Sequence, residues 1–313
     1  MEYKILLTGA TGFVGSSLFR ELASLPQVNL VAAVRFLRGN PSSTFYEVGP
    51  IDKSTNYSPL INGVDVVVHT AARAHVMKEE ADDPLSKYRL VNVDGTLNLA
   101  RQAAVAGVKR FIFISSIGVN GNVSTRPFTA SDQPNPVEPY ALSKWEAEQG
   151  LWKIQQATEM EVVIIRPPLI YGTGAPGNFG RLVRWIEKGT PLPLGAIDNK
   201  RSLISIDNLV NLIIRCIDHP AAANQVFLAG DGEDLSTTDL LLRVGVAIGK
   251  PAKLIPVPIG LLKMGATLFG KRALANRLLN SLQVDVTKTC ELLDWTPPYT
   301  VEEGLRRCFE PSH

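Results

Sequence analysis

The alternation of short apolar runs with helical segments is the feature that most constrains the fold. Each run is rich in β-branched residues and lacks polar alternation, so we expect strands that are buried on both faces. The longer segments between them carry one apolar stripe at helical spacing. The strand-like runs are 4–8, 30–34, 64–69, 110–115 and 162–166, and the helical segments are 13–25, 85–106 and 139–157.

This alternation predicts an α/β fold, a Rossmann-type doubly wound parallel sheet with helices on both faces. After Arg166 the pattern changes, because two prolines and the glycine-rich run 172–180 interrupt it. We therefore expect residues 1–170 to form a dinucleotide-binding domain. Residues 171–313 would form mainly a smaller C-terminal lobe that binds substrate over the carboxyl ends of the strands.

Composition and residue counts exclude several classes of protein. A chain of 313 residues with 45% hydrophobic and 20% charged residues is globular, and its net charge of +2 with no basic run argues against nucleic-acid binding. Three scattered cysteines and four unclustered histidines predict neither disulfides nor a metal site. No apolar run approaches the ~20 residues of a membrane span, and a strand stands where a signal peptide would begin. We expect a cytoplasmic protein.

A glycine-rich turn, TGATGFVG at 8–15, joins the first strand to the first helix. Gly9 permits the tight turn, Gly12 lets the backbone approach a diphosphate, and Gly15 lets the helix close onto the strand. The N–H groups and the positive dipole end of the helix attract the diphosphate. The turn therefore predicts dinucleotide binding.

The residue after the second strand bears on the choice between NAD and NADP. An acidic side chain there would bind the ribose 2′-hydroxyl of NAD. This chain has Arg35 instead, which would pair with the 2′-phosphate of NADP or remain solvated. The sequence leaves both cofactors open, and Arg35 favours NADP.

Tyr140 and Lys144 are the pair that points to catalysis. They lie one helical turn apart and so share a face. An ammonium beside a phenol favours the phenolate, which moves Tyr140 towards a general acid/base. Ser115 and Ser116 end the preceding strand, where a hydroxyl would hydrogen-bond the reacting oxygen.

Together these motifs resemble those of the extended short-chain dehydrogenases/reductases, and within them the UDP-glucose 4-epimerase-like sugar-nucleotide enzymes. The resemblance covers nearly the whole chain. It rests on TGATGFVG at 8–15, HTAA at 69–72, VNVDGT at 91–96, the serines 115–116, YALSK at 140–144, RPPLIYG at 166–172 and VDVTK at 284–288.

The resemblance implies roles for the matched residues. It implies that Ser116, Tyr140 and Lys144 are catalytic, and that Asn178 and Arg201 contact the nucleotide diphosphate of the substrate. With Arg35 added, the predicted cofactor-binding residues are Gly9, Thr11, Gly12, Phe13, Val14, Gly15, Arg35, Ala71, Ala72, Asn92, Tyr140, Lys144 and Pro167.

Two departures from the family pattern bear on the reaction. The dehydratase branch carries two acids after the residue matched by Ser116, whereas this chain has Ile117 and Gly118, which cannot move a proton. The late Arg-x-Gly-Asp substrate clamp is not recognisable, which leaves Arg272 and Arg277 as candidates for that role. Because Ile117 and Gly118 take the place of the two acids, dehydration is disfavoured.

Two reactions remain, and the same residues would serve both. A 4-epimerase of the UDP-glucose or UDP-N-acetylglucosamine type would oxidise C4 transiently with bound NAD(P). A 4-ketoreductase would use NAD(P)H to reduce a nucleotide-linked 4-keto-6-deoxyhexose once. Overall resemblance favours the epimerase and Arg35 the reductase; we predict the epimerase.

Three further interpretations are open. The apolar segment 254–270, followed by two basic residues, would either pack as an ordinary helix or make peripheral membrane contact, as an epimerase of a polyprenyl-diphosphate-linked sugar would. A non-catalytic NADP-binding regulator is disfavoured by the intact Ser-Tyr-Lys set. The family implies a homodimer that pairs through the helices at 85–106 and 139–157.

Overall fold

The structure, a computed structural model, describes residues 2–37, 44–74, 83–270 and 272–310. Five of its strands coincide with the apolar runs of the sequence, and five further strands are added. The strands are β1 (Tyr3–Thr8), β2 (Val28–Val34), β3 (Phe45–Glu47), β4 (Val66–His69), β5 (Arg110–Ile114), β6 (Glu161–Arg166), β7 (Leu169–Tyr171), β8 (Arg201–Ser205), β9 (Gln225–Leu228) and β10 (Asp234–Leu235).

Seven of these strands form one parallel sheet in the order β3-β2-β1-β4-β5-β6-β9. This arrangement confirms the prediction of a Rossmann-type doubly wound fold. The strand order reverses between β1 and β4, and such a switch point opens a crevice at the carboxyl ends of the strands, where ligands of these sheets bind.

The predicted helix at 85–106 is interrupted. A π-helical turn, Leu90–Gly95, joins its two α-helical parts and contains Asn92. Turns of this kind often accompany functional sites. The helices are α1 (Phe13–Ser24), α2 (Ser58–Ile61), α3 (Pro84–Arg89), α4 (Thr96–Val105), α5 (Pro139–Ala157), α6 (Gly177–Glu187), α7 (Ile206–Asp218), α8 (Thr237–Ile248), α9 (Ile259–Leu268), α10 (Arg272–Leu279), α11 (Thr287–Leu293) and α12 (Val301–Arg307).

The large sheet has a separate core on each face, because successive residues of a strand point to opposite sides. Ile5 and Leu7 of β1 pack with residues of α1 and α7. Leu6 packs on the other face with residues of α4 and α5. All three side chains are fully buried, which explains why the strands read as unbroken apolar runs.

The smaller lobe is built around a second sheet, in which β8 lies between β7 and β10. Its own core comes largely from α6, α8 and α12. Between these elements the chain returns to the large sheet. There α7 packs in the same core as α1, and β9 pairs with β6. Residues 171–313 therefore contribute to both lobes, and the predicted domain boundary near 170 stays a prediction.

The described ranges contain no helix with both the length and the apolar character needed to cross a bilayer. In the same ranges, no three His, Cys, Asp or Glu side chains come together in a way that could hold a metal ion.

Candidate active site

The glycine turn between β1 and α1 has the shape of a diphosphate cradle. Gly9 has a φ of 77°, and a Cβ there would lie 2.6 Å from the backbone nitrogen of Ala71. A Cβ on Gly15 would overlap the Gly9 carbonyl, so glycine is what lets α1 approach β1. Gly12 is the N-cap of α1, and no side chain caps the helix there. The exposed helix end fits the diphosphate of a dinucleotide.

Four other predicted cofactor-binding residues lie in the cradle or at the end of the neighbouring strand β2. Thr11 is exposed beside Gly12, while Phe13 and Val14 are half-buried in the first turn of α1, where backbone N–H groups have no partner within the helix. Arg35 is exposed immediately after β2. Their contacts with a cofactor stay predictions.

Asn92 fixes the loop that follows β4. Its Oδ1 accepts a hydrogen bond from the backbone nitrogen of Arg73 at 2.8 Å, and its Nδ2 donates to the carbonyl of Arg73 and to Oγ of Ser143. Ala71 and Ala72 lie in this loop, at the carboxyl edge of the sheet. Asn92 therefore ties this loop to α5, and its contact with a cofactor stays a prediction.

A cavity of about 670 Å³ brings together four of the predicted residues. Ser116 and Tyr140 line it from the large-sheet lobe, and Asn178 and Arg201 line it from the smaller lobe. These residues are up to 85 positions apart in sequence, and only the fold places them on one cavity. The predicted catalytic hydroxyls and the predicted diphosphate contacts thus face the same space.

Ser116 is positioned by a short turn after β5. It is the N-cap of the 3₁₀ turn Ile117–Val119, and its Oγ accepts a hydrogen bond from the backbone nitrogen of Gly118 at 3.1 Å. Pro167, after β6, supports the same turn because its carbonyl accepts from the nitrogen of Ile117 at 3.0 Å. The Ser116 hydroxyl keeps its proton available to donate to a substrate oxygen.

The pKa of Tyr140 moves in the opposite direction to the sequence prediction. Burial raises the pKa of Tyr140 to about 12, and the nearby Tyr88 adds to the increase. The rings of the two tyrosines lie edge to face with centroids 6.0 Å apart. Desolvation of the phenolate is thus the dominant effect in this chain, and it outweighs any help from the lysine one turn later.

Lys144 is buried and engaged on the sheet side of α5. Its Nζ donates to the carbonyl of Ile114 at 2.7 Å and lies 4.2 Å from the ring centroid of Phe113. Burial lowers the pKa of Lys144 to about 7, and the carboxylate of Glu148 opposes this effect. Lys144 can therefore gain or lose its proton near neutral pH.

A buried polar network behind Lys144 was not found from the sequence. Glu148 is fully buried and forms an ion pair with Arg166, which is also buried. The Ser115 hydroxyl donates to Glu148, and Arg166 donates to Oδ1 of Asn120 at 3.0 Å. The spacing of Glu148, one turn beyond Lys144 on the same helix face, is the signal that could have revealed it.

Two arginines approach the cavity from the smaller lobe. Arg201 donates to the carbonyl of Asn280 at 3.0 Å, and burial, with the neighbouring charge of Arg277, lowers the pKa of Arg201 to about 10. Arg277 also lines the cavity and pairs with Glu138 at 2.7 Å. Paired guanidinium groups suit a diphosphate. The side chain of Arg272, the other candidate, lies outside the described residues.

The sequence profile of the NAD dependent epimerase/dehydratase family matches residues 5–230, from β1 to just beyond β9. The chain belongs to this family. The family predicted from the sequence motifs is thereby confirmed, as is the prediction of an enzyme that uses a nicotinamide cofactor. The family description and the NAD-bound neighbour below support NAD, whereas the preference for NADP stays a prediction.

Relatives in this family align over almost the whole chain. A UDP-glucose 4-epimerase of Vibrio cholerae is 48% identical over 310 residues, covering 98% of this chain and 94% of the relative. An N-acetyl-alpha-D-glucosaminyl-diphospho-ditrans,octacis-undecaprenol 4-epimerase of Escherichia coli O157:H7 is 30% identical, covering 99% and 95%. The structure of a UDP-glucuronic acid 4-epimerase of Bacillus cereus in complex with NAD matches with a TM-score of 0.77 at 22% identity, covering 97% and 96%. The structural match supports the fold.

Proposed function

We propose that this protein uses NAD to invert C4 of a nucleotide-linked hexose of the UDP-glucose or UDP-N-acetylglucosamine type. The observation that carries the proposal is the single cavity lined by Ser116, Tyr140, Asn178 and Arg201. A nucleotide sugar needs an acid/base group at its sugar and cationic or amide groups at its diphosphate. Family membership and the relative of Vibrio cholerae support this substrate class.

The chain's residues would handle the proton and hold the substrate. Bound NAD supplies a reversible two-electron oxidation of the C4 carbinol. Tyr140, as phenolate, takes the proton of the C4 hydroxyl and later returns it to the same oxygen, so no proton is consumed overall. Ser116 donates a hydrogen bond to that oxygen, and the ammonium form of Lys144 favours the phenolate.

The diphosphate contacts serve the inversion as well as binding. A 4-ketose must present its other face before it is reduced, so the enzyme has to keep the substrate while its sugar turns. Asn178 and Arg201, which line the cavity from the smaller lobe, would hold the diphosphate while the sugar turns. Arg277 would join them after leaving Glu138.

The decisive experiment needs no added cofactor. The full chain, purified and incubated with UDP-glucose, should yield UDP-galactose, and mass spectrometry of the denatured protein should identify released NAD. Sugar isomers are separated by chromatography. If the protein releases no dinucleotide, leaves UDP-glucose unchanged and oxidises stoichiometric NADPH with a nucleotide-linked 4-keto-6-deoxyhexose, it is instead the 4-ketoreductase.

Arg35 keeps NADP as the alternative cofactor, because it is exposed where a 2′-phosphate would bind. If it makes that contact, Arg35→Asp should weaken NADPH binding relative to NADH by roughly tenfold to a hundredfold, since one charge-assisted contact is lost. Arg20→Asp, an exposed arginine on α1, is the matched control. An unchanged ratio of the two dissociation constants would show that Arg35 is only solvated.

A polyprenyl-diphosphate-linked sugar is the second candidate substrate. Leu278 of α10 lines both the substrate cavity and an apolar groove between α9 and α10, so the groove that an apolar tail would occupy adjoins the cavity. The relative of Escherichia coli supports this candidate. Comparison of kcat/KM for UDP-N-acetylglucosamine and for a short polyprenyl-diphosphate N-acetylglucosamine separates the two substrates.

We also propose a homodimer that pairs through α4 and α5. The two helices leave between them a groove of about 840 Å³, lined in part by Leu97, Val105 and Trp145. Apolar side chains that line a groove on the surface of two adjacent helices are typical of a protein–protein interface. The cytoplasmic location stays a prediction from the sequence.

A further inference from the structure

The charge of the chain is distributed very unevenly. Residues 240–284 contain seven basic residues and no acidic residue, whereas the remainder of the chain has 25 basic against 30 acidic residues. A segment of 45 residues with only one sign of charge has a strong attraction for anionic surfaces. The seven are Arg243, Lys250, Lys253, Lys263, Lys271, Arg272 and Arg277.

The helix at the centre of this segment is apolar on two sides. Ile259 and Leu262 of α9 pack against the core of the smaller lobe. Leu261, Met264 and Leu268, at helical spacing on the outer side, remain exposed, and 78% of Leu268 is accessible. A helix that is apolar on both sides is normally buried on both.

The exposed side is extended and adjoins basic residues. Phe269, which follows the last residue of α9, is 79% exposed, and Ile255 before the helix is 50% exposed. Lys253 and Lys263 are also exposed. We call Ile255, Leu261, Met264, Leu268 and Phe269 the α9 surface. Such a surface is complementary to a membrane interface, because the apolar side chains can contact the acyl chains and the lysines can contact the anionic headgroups.

The position of the α9 surface relates it to catalysis. The groove beside it, about 310 Å³ in volume, is lined by Leu261 and Phe269 on one side and by Leu278 on the other. Leu278 also lines the substrate cavity. A bilayer against the α9 surface would therefore lie next to one wall of that cavity.

We propose that the α9 surface binds the protein peripherally to bilayers that contain anionic phospholipid. The apolar side chains enter the acyl boundary, and the exposed Lys253 and Lys263 contact the headgroups. The interaction is independent of which sugar the enzyme epimerises, because it involves none of the four residues that define the catalytic cavity.

Vesicle sedimentation tests the proposal with the full chain. The protein should bind vesicles of phosphatidylcholine mixed with phosphatidylglycerol, bind pure phosphatidylcholine much more weakly, and dissociate as salt is raised. Lys263→Glu should weaken binding roughly tenfold, because it reverses one charge at the surface. Failure of the unaltered protein to bind the anionic vesicles, or equal binding to both kinds, would overturn the proposal.

A pair of double variants tests the apolar contribution. Leu268→Ser with Phe269→Ser should weaken vesicle binding by roughly a hundredfold, since two large side chains no longer enter the bilayer. Leu242→Ser with Val246→Ser, on the exposed side of α8, should bind as the unaltered chain does. Thermal unfolding midpoints show that both variants fold. If the α9 variant instead alters the mass in solution, a second copy covers this surface and the proposal is wrong, as it is if the α8 variant loses binding equally.

Discussion

Tyr140 cannot work as a base at neutral pH without help, since burial places its pKa at about 12. A general base is most effective when its pKa lies near the working pH. The side chain that can supply the help is Lys144, whose own pKa is lowered to about 7. As the pH rises through that value Lys144 loses its charge, so its support for the phenolate is present below it and lost above it.

Removing the phenolic oxygen tests the role of Tyr140. Tyr140→Phe should lower kcat by about a hundredfold to ten-thousandfold, because the C4 hydroxyl loses its proton acceptor, while NAD affinity is retained. Tyr88→Phe is the matched control: it removes the neighbouring phenol and keeps the ring contact. Steady-state kinetics and dinucleotide titration check both variants. Full activity of the Tyr140 variant would assign the proton transfer to another group.

At the scale of a single element, α5 spaces three functional side chains along one of its faces. Tyr140, Lys144 and Glu148 follow each other at four-residue intervals, so one face of the helix presents the phenol, the ammonium and the buried carboxylate in order. Glu148 raises the pKa of Lys144 against the effect of burial. We infer that Glu148 is a positioning residue: it sets the pKa of Lys144 and does not contact the substrate.

Glu148→Gln should therefore lower the pKa of Lys144 and move the high-pH limb of the kcat profile to lower pH. It should also reduce the free energy of unfolding by about 3 kcal/mol, because Arg166 is left buried without its partner. Glu161→Gln breaks the Arg110 ion pair at the other end of the sheet and supplies the control. A pH profile shifted equally in both variants would indicate general destabilisation; the double change Glu148→Gln with Arg166→Met removes the unpaired charge and should keep the shifted profile.

The same elements show what the sequence can predict. Long apolar strands, the glycine turn and the Tyr140–Lys144 spacing are local patterns, and the structure has these strands and this helix where they were expected. β3 and β9 are short edge strands of three and four residues, too short for periodicity to identify them. The Glu148–Arg166 ion pair joins a helix to a strand, and the increase in the pKa of Tyr140 results from burial. Both features arise from tertiary packing, which local sequence patterns do not show.

At the scale of the whole molecule, two surfaces on different lobes remain open for partners. The α9 surface belongs to the smaller lobe, and the groove of α4 and α5 belongs to the large-sheet lobe. The sequence segment that carries the first has basic and no acidic residues, whereas the second is lined by Glu146 together with Arg101 and Lys153. A mixed-charge rim around apolar residues suits a second copy of the same surface, which offers opposite charges across a two-fold axis.

The dimer prediction can be tested at this second surface. Val105, at the end of α4, is 90% exposed in the single chain, and Val105→Glu would bury a charge in the interface. The dimer dissociation constant should rise by roughly a hundredfold or more, because a buried carboxylate without a partner is strongly unfavourable. Analytical ultracentrifugation distinguishes the 34.0 kDa chain from its dimer. Val246→Glu is the matched control, because it makes the same substitution at a valine of α8 that is 82% exposed, and it should leave the dimer intact. A monomeric unaltered protein would contradict the dimer, and a dimer that both variants retain would place the interface elsewhere on the molecule.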